Sequence, residues 1–181
     1  MAQDRPAALI TGSASGIGRA AALRLARAGY HVAINYSRSE DTARTTLADL
    51  ESTRACAPLL RAARGSVVNV ASIVGLRPGP QPLAYAASKA AVVSLTRTLS
   101  RVLAPEVRVN AVAPGWIAGE WMQRTLGDNY DRLMERRAVW TPMQRNVTLE
   151  DVAETVVSLI TSNPFVTGET IVIDGGYAAT T

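Results

Sequence analysis

The feature that most constrains the fold is the alternation of short apolar segments with longer helix-like segments. The apolar runs have the length of strands and lack the polar alternation of a half-exposed sheet. They lie at residues 7–11, 31–36, 67–71, 107–112 and 170–173. Strands that are apolar on both faces and alternate with helices are typical of a parallel sheet with both faces covered. The sequence therefore predicts an α/β fold built around a buried parallel sheet.

The length and composition are those of a single globular domain, which we assign to residues 1–181. Hydrophobic residues make up 48% of the chain and charged residues 19%, and no apolar stretch approaches the ~20 residues of a membrane span. The N-terminus lacks the pattern of a signal peptide. The chain has one cysteine, Cys56, and one histidine, His31, so no internal disulfide can form and no metal site is predicted. We therefore expect a cytoplasmic protein with no membrane partner.

The formal net charge of +4 raises the question of nucleic-acid binding. The arginines are scattered from Arg5 to Arg145, however, and Arg136-Arg137 is the only adjacent pair. This distribution lacks the basic stripe with interleaved aromatic residues that is typical of a nucleic-acid surface. No nucleic-acid partner is therefore predicted.

A glycine-rich segment, residues 11–18, follows the first predicted strand and opens the first predicted helix. Glycines at such a place permit a tight turn and a close approach of the backbone, and the N-terminus of the following helix attracts a pyrophosphate. A glycine cluster alone could also be an ordinary loop, but the strand before it and the helix after it favour dinucleotide binding. The expected cofactor-binding residues of this segment are Gly12, Ser13, Ser15, Gly16, Ile17 and Gly18.

Lys89 is the only lysine in the chain, against eighteen arginines, and it lies four residues after Tyr85. Residues i and i+4 of a helix share a face. The Lys89 ammonium can therefore stabilise the Tyr85 phenolate and lower the pKa of the phenol from its ordinary value near 10. Chance is the alternative, because this spacing alone is a weak motif in a chain with five tyrosines.

These segments and others resemble the classical branch of the short-chain dehydrogenase/reductase family. The resemblance extends over nearly the whole chain and is closest to the 3-oxoacyl-[acyl-carrier-protein] reductases. It implies a Rossmann-like, doubly wound parallel sheet between two helix layers, and a nicotinamide-dependent oxidoreductase that interconverts ketones and alcohols. The segments that carry it after the glycine-rich loop are Asn69-Val70-Ala71-Ser72, residues 85–89, residues 108–115 and Ile173-Asp174-Gly175-Gly176.

The resemblance also implies roles for individual residues. Tyr85 would donate a proton to the carbonyl oxygen of the substrate, Ser72 would polarise the same oxygen, and Lys89 would bind the nicotinamide ribose. Ser72 taken alone is equally a strand-end serine bonded to local backbone, and its place relative to Tyr85 is what favours catalysis. Further cofactor contacts are expected from Tyr85, Pro114, Gly115 and Ile117.

The end of the second predicted strand bears on the choice between NADP(H) and NAD(H). Members that select NAD(H) place an acidic residue there to hold the adenosine ribose hydroxyls. This chain has Asn35-Tyr36-Ser37-Arg38 instead, with no acid and with a cation that can face a 2′-phosphate. Arg38 is equally compatible with a solvated loop, but the missing acid favours NADP(H) over NAD(H).

The chain departs from the family between its second and third predicted strands. Two βα units of the family have no counterpart in this chain. These units carry an Asn-Asn-Ala-Gly-type turn and the fourth catalytic residue of the family, an asparagine, so both are absent here. Residues 40–64 read as one helical segment instead. We therefore expect an internal deletion near residues 51–53, of about two units of ~30 residues each. The five remaining strands would close up in the order 2-1-3-4-5, and the long helix should break near residues 52–53 or at Pro58.

Residues 116–145 form a polar, helix-like excursion that corresponds by resemblance to the substrate lid of the family. Trp121 and Trp140 lie in it, and either cover an apolar substrate or pack onto the core. The family also forms dimers and tetramers through the two helices that flank the serine strand. A homo-oligomer is therefore expected here, although one of these helices is truncated.

Two functions of different classes follow from these patterns. The first is an NADP(H)-dependent reductase of a small-molecule ketone or 3-oxoacyl-type carbonyl, with Tyr85 as proton donor. The alternative is a catalytically impaired dinucleotide-binding relative with an interaction or structural role, because the chain lacks the asparagine and the cofactor-lining turn.

Overall fold

The structure is a computed structural model that describes residues 6–10, 16–34 and 56–180. A strand occurs at each of the five predicted places, and helices alternate with the strands, which confirms the α/β fold. The last strand has the predicted bounds, whereas residues 11, 35 and 36 of the first two predicted strands lie outside the described ranges. The strands are β1 Ala7–Ile10, β2 His31–Ile34, β3 Ser66–Val70, β4 Arg108–Pro114 and β5 Thr170–Ile173.

The helices connect these strands, and two of them form the excursion of residues 116–145, which lies between β4 and the last long helix. Short 3-10 turns lie at Ile73–Gly75 and Gly127–Asn129. Within the described part of the chain, no helix combines the length and the apolar character that a membrane crossing requires. The helices are α1 Gly16–Arg27, α2 with residues 56–62 as its described part, α3 Leu83–Val102, α4 Glu120–Leu126, α5 Tyr130–Trp140, α6 Leu149–Thr161 and α7 Tyr177–Thr180.

The predicted break at Pro58 is wrong, because the backbone is helical on both sides of this proline. The helix ends instead at Arg64, which has a left-handed φ of 47°. The Gly65 N–H donates to the Leu60 carbonyl at 2.8 Å, which is the hydrogen bond that closes a helix with a left-handed residue at its end. The other predicted break, at residues 52–53, lies outside the described ranges.

The strands form two parallel ladders. β1 pairs with β2, and β3, β4 and β5 pair in that order. The predicted order 2-1-3-4-5 is therefore wrong at one join, since the described residues show no ladder between β1 and β3. β4 lies in the middle of its sheet, and all of its residues after Arg108 are buried.

The backbone of β3 shows why its outer edge does not need β1. The Gly65 carbonyl and the Ala71 N–H face β4. Backbone groups of alternate residues in a strand point to opposite edges, so those of Val70 face away from β4. There the Val70 carbonyl accepts a hydrogen bond of 2.9 Å from Lys89 Nζ. The Lys89 side chain thus supplies the hydrogen bond that the Val70 carbonyl would otherwise accept from a neighbouring strand.

One apolar cluster joins the two ladders. Its centre is α6, whose Val152 and Ala153 are fully buried, and it includes Ala21 of α1. Ile10 of β1 and Val68 of β3 both pack against it. Burial of apolar surface contributes about 25 cal/mol per Å², so this cluster supplies the cohesion that the missing ladder does not.

The sequence Thr148-Leu149-Glu150-Asp151 predicts a helix with Thr148 as its N-cap, and α6 begins there. Thr148 Oγ1 accepts a hydrogen bond from the Asp151 N–H at 3.1 Å, and the Thr148 N–H donates to Asp151 Oδ2 at 2.8 Å. Arg145 donates to both carboxylate oxygens of Asp151, at 2.6 and 2.9 Å. These hydrogen bonds from Arg145 are the main reason why the pKa of Asp151 lies well below its usual range. The cap thus carries a carboxylate that stays ionised.

The C-terminus of α6 is held by Arg108 and Asn110, at the start of β4. Arg108 donates to the carbonyls of Leu159, at 2.8 Å, and Ile160, at 3.0 Å. A cation at this end also compensates the helix dipole. Asn110, which is fully buried, donates to the Val166 carbonyl at 2.8 Å. These two residues therefore anchor α6 and the loop after it rather than reaching a substrate.

Thr148→Ala should lower the free energy of unfolding by about 1 kcal/mol, because it removes the side-chain oxygen that caps α6. For a domain of this size the expected fall in Tm is roughly 2–4 °C, measured by thermal unfolding with circular dichroism. Thr98→Ala is the matched control, since Thr98 is exposed within α3 and its hydroxyl donates to the Ser94 carbonyl. Equal falls in the two variants would contradict the capping role.

Candidate active site

Ser72 lies just beyond the carboxyl end of β3, where sites in parallel sheets are normally found. Its backbone is extended, with φ −164° and ψ 157°, and it precedes the turn Ile73–Gly75. Its hydroxyl makes no capping hydrogen bond to that turn, so the alternative of a serine bonded to local backbone is not what the structure shows. The hydroxyl is hydrogen-bonded to the side chain of Tyr85 instead.

Tyr85 and Lys89 lie one turn apart on α3, on the face that meets Ser72. The Lys89 Nζ atom is 5.7 Å from the centre of the Tyr85 ring, and it donates to the Val70 carbonyl, two residues before Ser72. The structure therefore brings together the three residues that the sequence singled out for catalysis. Their assignment to catalytic roles remains a proposal.

The register between α3 and β3 is set by a partly buried hydrogen bond. Asn69 Nδ2 of β3 donates to Thr96 Oγ1 of α3 at 2.9 Å, and Thr96 is fully buried. An apolar cluster next to it joins Ala71, Val92 and Val93. Because an unpaired buried polar group is costly, the Asn69 amide and the Thr96 hydroxyl hold the helix in one register. Tyr85 is thereby placed at Ser72.

Gly75 is a positioning residue that the sequence reasoning did not single out. A Cβ at this position would lie 2.6 Å from the backbone carbon of Lys89 and 2.9 Å from the Ala90 nitrogen. The turn after Ser72 therefore packs directly on the α3 backbone, and no residue larger than glycine fits. The signal in the sequence was a lone glycine three residues after the serine, which is weak without the structure.

Burial controls the protonation of Tyr85. Desolvation raises the pKa of this phenol above its ordinary value of 10.0, and the hydrogen bond with Ser72 lowers it in part. The predicted lowering of this pKa by Lys89 is therefore wrong in this structure. The reason is burial, because desolvation of the phenol is the largest influence on its pKa. Tyr85 accordingly stays a neutral proton donor at physiological pH.

The N-terminus of α1 is the described part of the predicted dinucleotide loop. Gly16 opens the helix with a left-handed φ of 57°, and a Cβ added there would meet no atom within 4 Å. The first turn of α1 carries no acidic residue. A helix N-terminus whose first turn carries no carboxylate fits a phosphate group. The expected contacts Gly12, Ser13, Ser15 and Arg38 lie outside the described residues.

The other expected cofactor contacts have packing roles. The side chains of Ile17 and Ile117 pack against the cluster around α6. Pro114 is the buried last residue of β4. Gly115 approaches β5 so closely that a Cβ would lie 2.7 Å from that of Asp174. The packing of these four residues accounts for their residue types without a bound cofactor. That they contact the cofactor stays a prediction.

A cavity of about 490 Å³ lies apart from Ser72 and Tyr85. It is lined by the loop of residues 143–147, by α6 and by the end of β5, and its charged groups include Arg145, Asp151 and Glu154. Arg145 and Asp151 are already paired in the α6 cap. We place the candidate active site at Ser72 and Tyr85, because there a hydroxyl and a protonated phenol meet at the carboxyl end of a parallel strand.

Comparisons with known proteins match both halves of the chain. A family model described as short chain dehydrogenase matches residues 6–58, and one described as Enoyl-(Acyl carrier protein) reductase matches residues 50–178. A ketoacyl reductase of the granaticin polyketide synthase from Streptomyces violaceoruber is 31% identical over 97% of each chain. A 3-oxoacyl-[acyl-carrier-protein] reductase from Staphylococcus epidermidis is 27% identical, over 93% of this chain and 97% of the relative.

Solved structures agree on the fold. A short-chain dehydrogenase/reductase from Burkholderia xenovorans has a TM-score of 0.77 and 26% identity, over 98% of this chain and 99% of the other. An oxidoreductase of that family from Burkholderia thailandensis has a TM-score of 0.83 and 23% identity, over 98% and 94%. The Rossmann-like fold is therefore confirmed.

The same comparisons locate the difference in length. The match to the granaticin reductase runs over 244 positions and covers 97% of this chain, which is about 176 of its 181 residues. About 68 positions of the match therefore have no counterpart in this chain. That is about two βα units, and the two family models meet at residues 50–58, where the deletion is expected. The chain belongs to the short-chain dehydrogenase/reductase family, in the branch of the 3-oxoacyl-[acyl-carrier-protein] reductases, and is a shortened oxidoreductase acting on CH–OH and C=O groups.

Proposed function

We propose that this chain reduces a 3-oxoacyl-type ketone to an alcohol with NADP(H), using Tyr85 as the proton donor. The observation that carries the proposal is the grouping of Ser72, Tyr85 and Lys89: the Ser72 hydroxyl lowers the pKa of the Tyr85 phenol, and Lys89 Nζ is 5.7 Å from the centre of the Tyr85 ring. The substrate class is supported by two relatives, which are named as a ketoacyl reductase and a 3-oxoacyl-[acyl-carrier-protein] reductase.

The two hydroxyl groups act on one oxygen atom. Ser72 and Tyr85 are within hydrogen-bond reach of each other, so the carbonyl oxygen of a substrate placed between them can accept from both. Burial keeps the Tyr85 phenol protonated. As negative charge develops on the substrate oxygen, the Tyr85 proton moves to it and the Ser72 hydroxyl stabilises it. A nicotinamide cofactor supplies the hydride for this reduction.

Three places in the chain would hold the cofactor. The N-terminus of α1 at Gly16 suits the pyrophosphate. Lys89 lies on the Tyr85 face of α3, where its ammonium can bind the ribose hydroxyls. Arg38 is the residue that we assign to a 2′-phosphate, because guanidinium groups bind phosphate through paired hydrogen bonds.

Tyr85→Phe should lower turnover by a factor of about 10² to 10⁴, because it removes a positioned general acid. The measurement is NADPH oxidation with a 3-oxoacyl thioester, together with a fluorescence titration of NADPH binding. Binding should persist, since Lys89 and the N-terminus of α1, to which we assign most of the cofactor binding, are unchanged in this variant.

Tyr30→Phe is the control for this variant, because Tyr30 lies before β2 and outside the candidate site. Equal turnover in wild type and Tyr85→Phe would contradict the assigned proton donor. A wild-type protein that binds NADPH and reduces none of a panel of ketones and thioesters would favour the non-catalytic alternative.

The wild-type protein should use NADPH with a kcat/KM at least about tenfold above that for NADH, since a charge-assisted bond to the 2′-phosphate contributes more than 1 kcal/mol. Arg38→Ala should reduce this ratio through a higher KM for NADPH. Steady-state kinetics with both cofactors measures the ratio. A wild-type ratio near one would overturn the assignment of NADP(H).

A further inference from the structure

Arg137 of α5 lies in an aromatic cluster at the carboxyl side of the sheet. The centre of its guanidinium is 4.5 Å from the ring of Trp116, 5.7 Å from that of Tyr177 and 6.0 Å from that of Trp140. Its Nη1 atom donates to Tyr177 Oη at 2.6 Å. Guanidinium groups stack well on aromatic faces, so the rings hold this cation in one orientation.

Within the described residues, no carboxylate balances the charge of Arg137. Among the residues that the structure describes, no carboxylate oxygen lies within 4.0 Å of its guanidinium. Its Nε atom is buried and has no hydrogen-bond partner. The acid nearest in sequence to Tyr177, Asp174, uses both oxygens to accept from the N–H groups of Gly176 and Ala178. A half-buried cation held by rings and without a carboxylate is costly unless a ligand supplies the anion.

The cluster lies at the same end of the sheet as the candidate active site. Arg77 lies five residues after Ser72, on the far side of the turn that packs on α3, and its guanidinium is 5.9 Å from the Tyr177 ring. Trp116 directly follows Pro114-Gly115 at the end of β4, and Tyr177 follows β5. The segments after β3, β4 and β5 therefore meet here, and ligands of such sheets bind outside the carboxyl ends of the strands.

The segment between β5 and α7 holds the cluster to the excursion. A Cβ at Gly175 would lie 2.7 Å from the Thr141 side chain, and one at Gly176 would lie 3.0 Å from Pro142. Met143 N–H donates to the Gly175 carbonyl at 3.2 Å. The end of α5 is therefore pressed against the segment after β5, so Arg137 is presented by a packed structure.

We propose that Arg137 binds an oxyanion carried by the carbonyl substrate, with Arg77 adding to the positive potential. The oxyanion is a carboxylate of the substrate itself or a phosphate of the group that carries the acyl chain, because a guanidinium binds both through paired N–H groups. This inference rests on the proposed reductase function and specifies its substrate: a 3-oxoacyl compound with a negative charge beyond the reacting ketone. Arg137 is thus a specificity-determining residue.

Two matched substrate pairs test the proposal and separate the two sources. Acetoacetate against methyl acetoacetate varies the carboxylate, and acetoacetyl-coenzyme A against acetoacetyl-N-acetylcysteamine varies the phosphates. In at least one pair, the wild type should have a higher kcat/KM for the anionic member than for the neutral or less charged one. Arg137→Met should reduce this ratio by at least about tenfold, mainly by raising the KM for the anionic member. Methionine keeps much of the stem that packs between the rings.

Arg136→Met is the control, because Arg136 is the neighbouring exposed residue and stacks on Trp140 at 4.5 Å. It removes the same charge from the protein as a whole, so it should leave the anionic preference as it is in the wild type. The proposal would be overturned if Arg137→Met kept the anionic preference of the wild type. It would also be overturned if Arg136→Met and Arg137→Met reduced this preference equally.

A binding measurement without turnover separates this inference from the reductase proposal. Trp116 and Trp140 report on the cluster by fluorescence, and a Trp121→Phe background removes the exposed third tryptophan. Titration with acetoacetate and with inorganic phosphate should give a Kd for one of them that rises at least about tenfold in Arg137→Met. A loss of binding in Arg137→Met supports the anion site even if no ketone is reduced. Equal Kd values in both proteins would refute it.

Discussion

The packing of α6 against α1 and the central sheet is the interaction on which the rest of the structure depends. The ladders β1–β2 and β3–β4–β5 share no backbone hydrogen bonds within the described ranges, so the apolar cluster around Val152 and Ala153 joins them. Both ends of α6 are fixed, by the Thr148 cap and by Arg108 on the last carbonyls. The half that bears the glycine-rich loop is thereby kept in place relative to the half that bears Ser72 and Tyr85.

The candidate site depends on a second contact, that of α3 with β3 and the turn after it. The Asn69–Thr96 hydrogen bond and the close approach of Gly75 to the helix backbone bring the Tyr85 phenol to the Ser72 hydroxyl. The same burial that creates this contact raises the pKa of Tyr85. Burial of the Tyr85 phenol therefore accompanies its placement beside Ser72 and also keeps it protonated.

Much of this could be predicted from the sequence. The apolar runs and the capping pattern at Thr148 place the strands and α6 correctly, because burial on both faces and side-chain capping are local signals. Ser72, Tyr85 and Lys89 were identified as a group and do lie together. The order 2-1-3-4-5, the break at Pro58 and the lowered pKa of Tyr85 were wrong. Strand adjacency and solvation depend on neighbours that are distant in the sequence.

The sequence by itself determined the α/β class, the elements, the family and the three residues of the candidate site, since each leaves a signal within a few residues or at a fixed spacing. Only the tertiary structure decided that Lys89 satisfies the Val70 carbonyl, that Gly75 must be a glycine and that Arg137 stacks between Trp116, Trp140 and Tyr177. Except for that of Arg137 with Trp140, these contacts join residues that are 14 to 40 positions apart, and their energies come from desolvation and close packing. Periodicity along a chain carries no information about either.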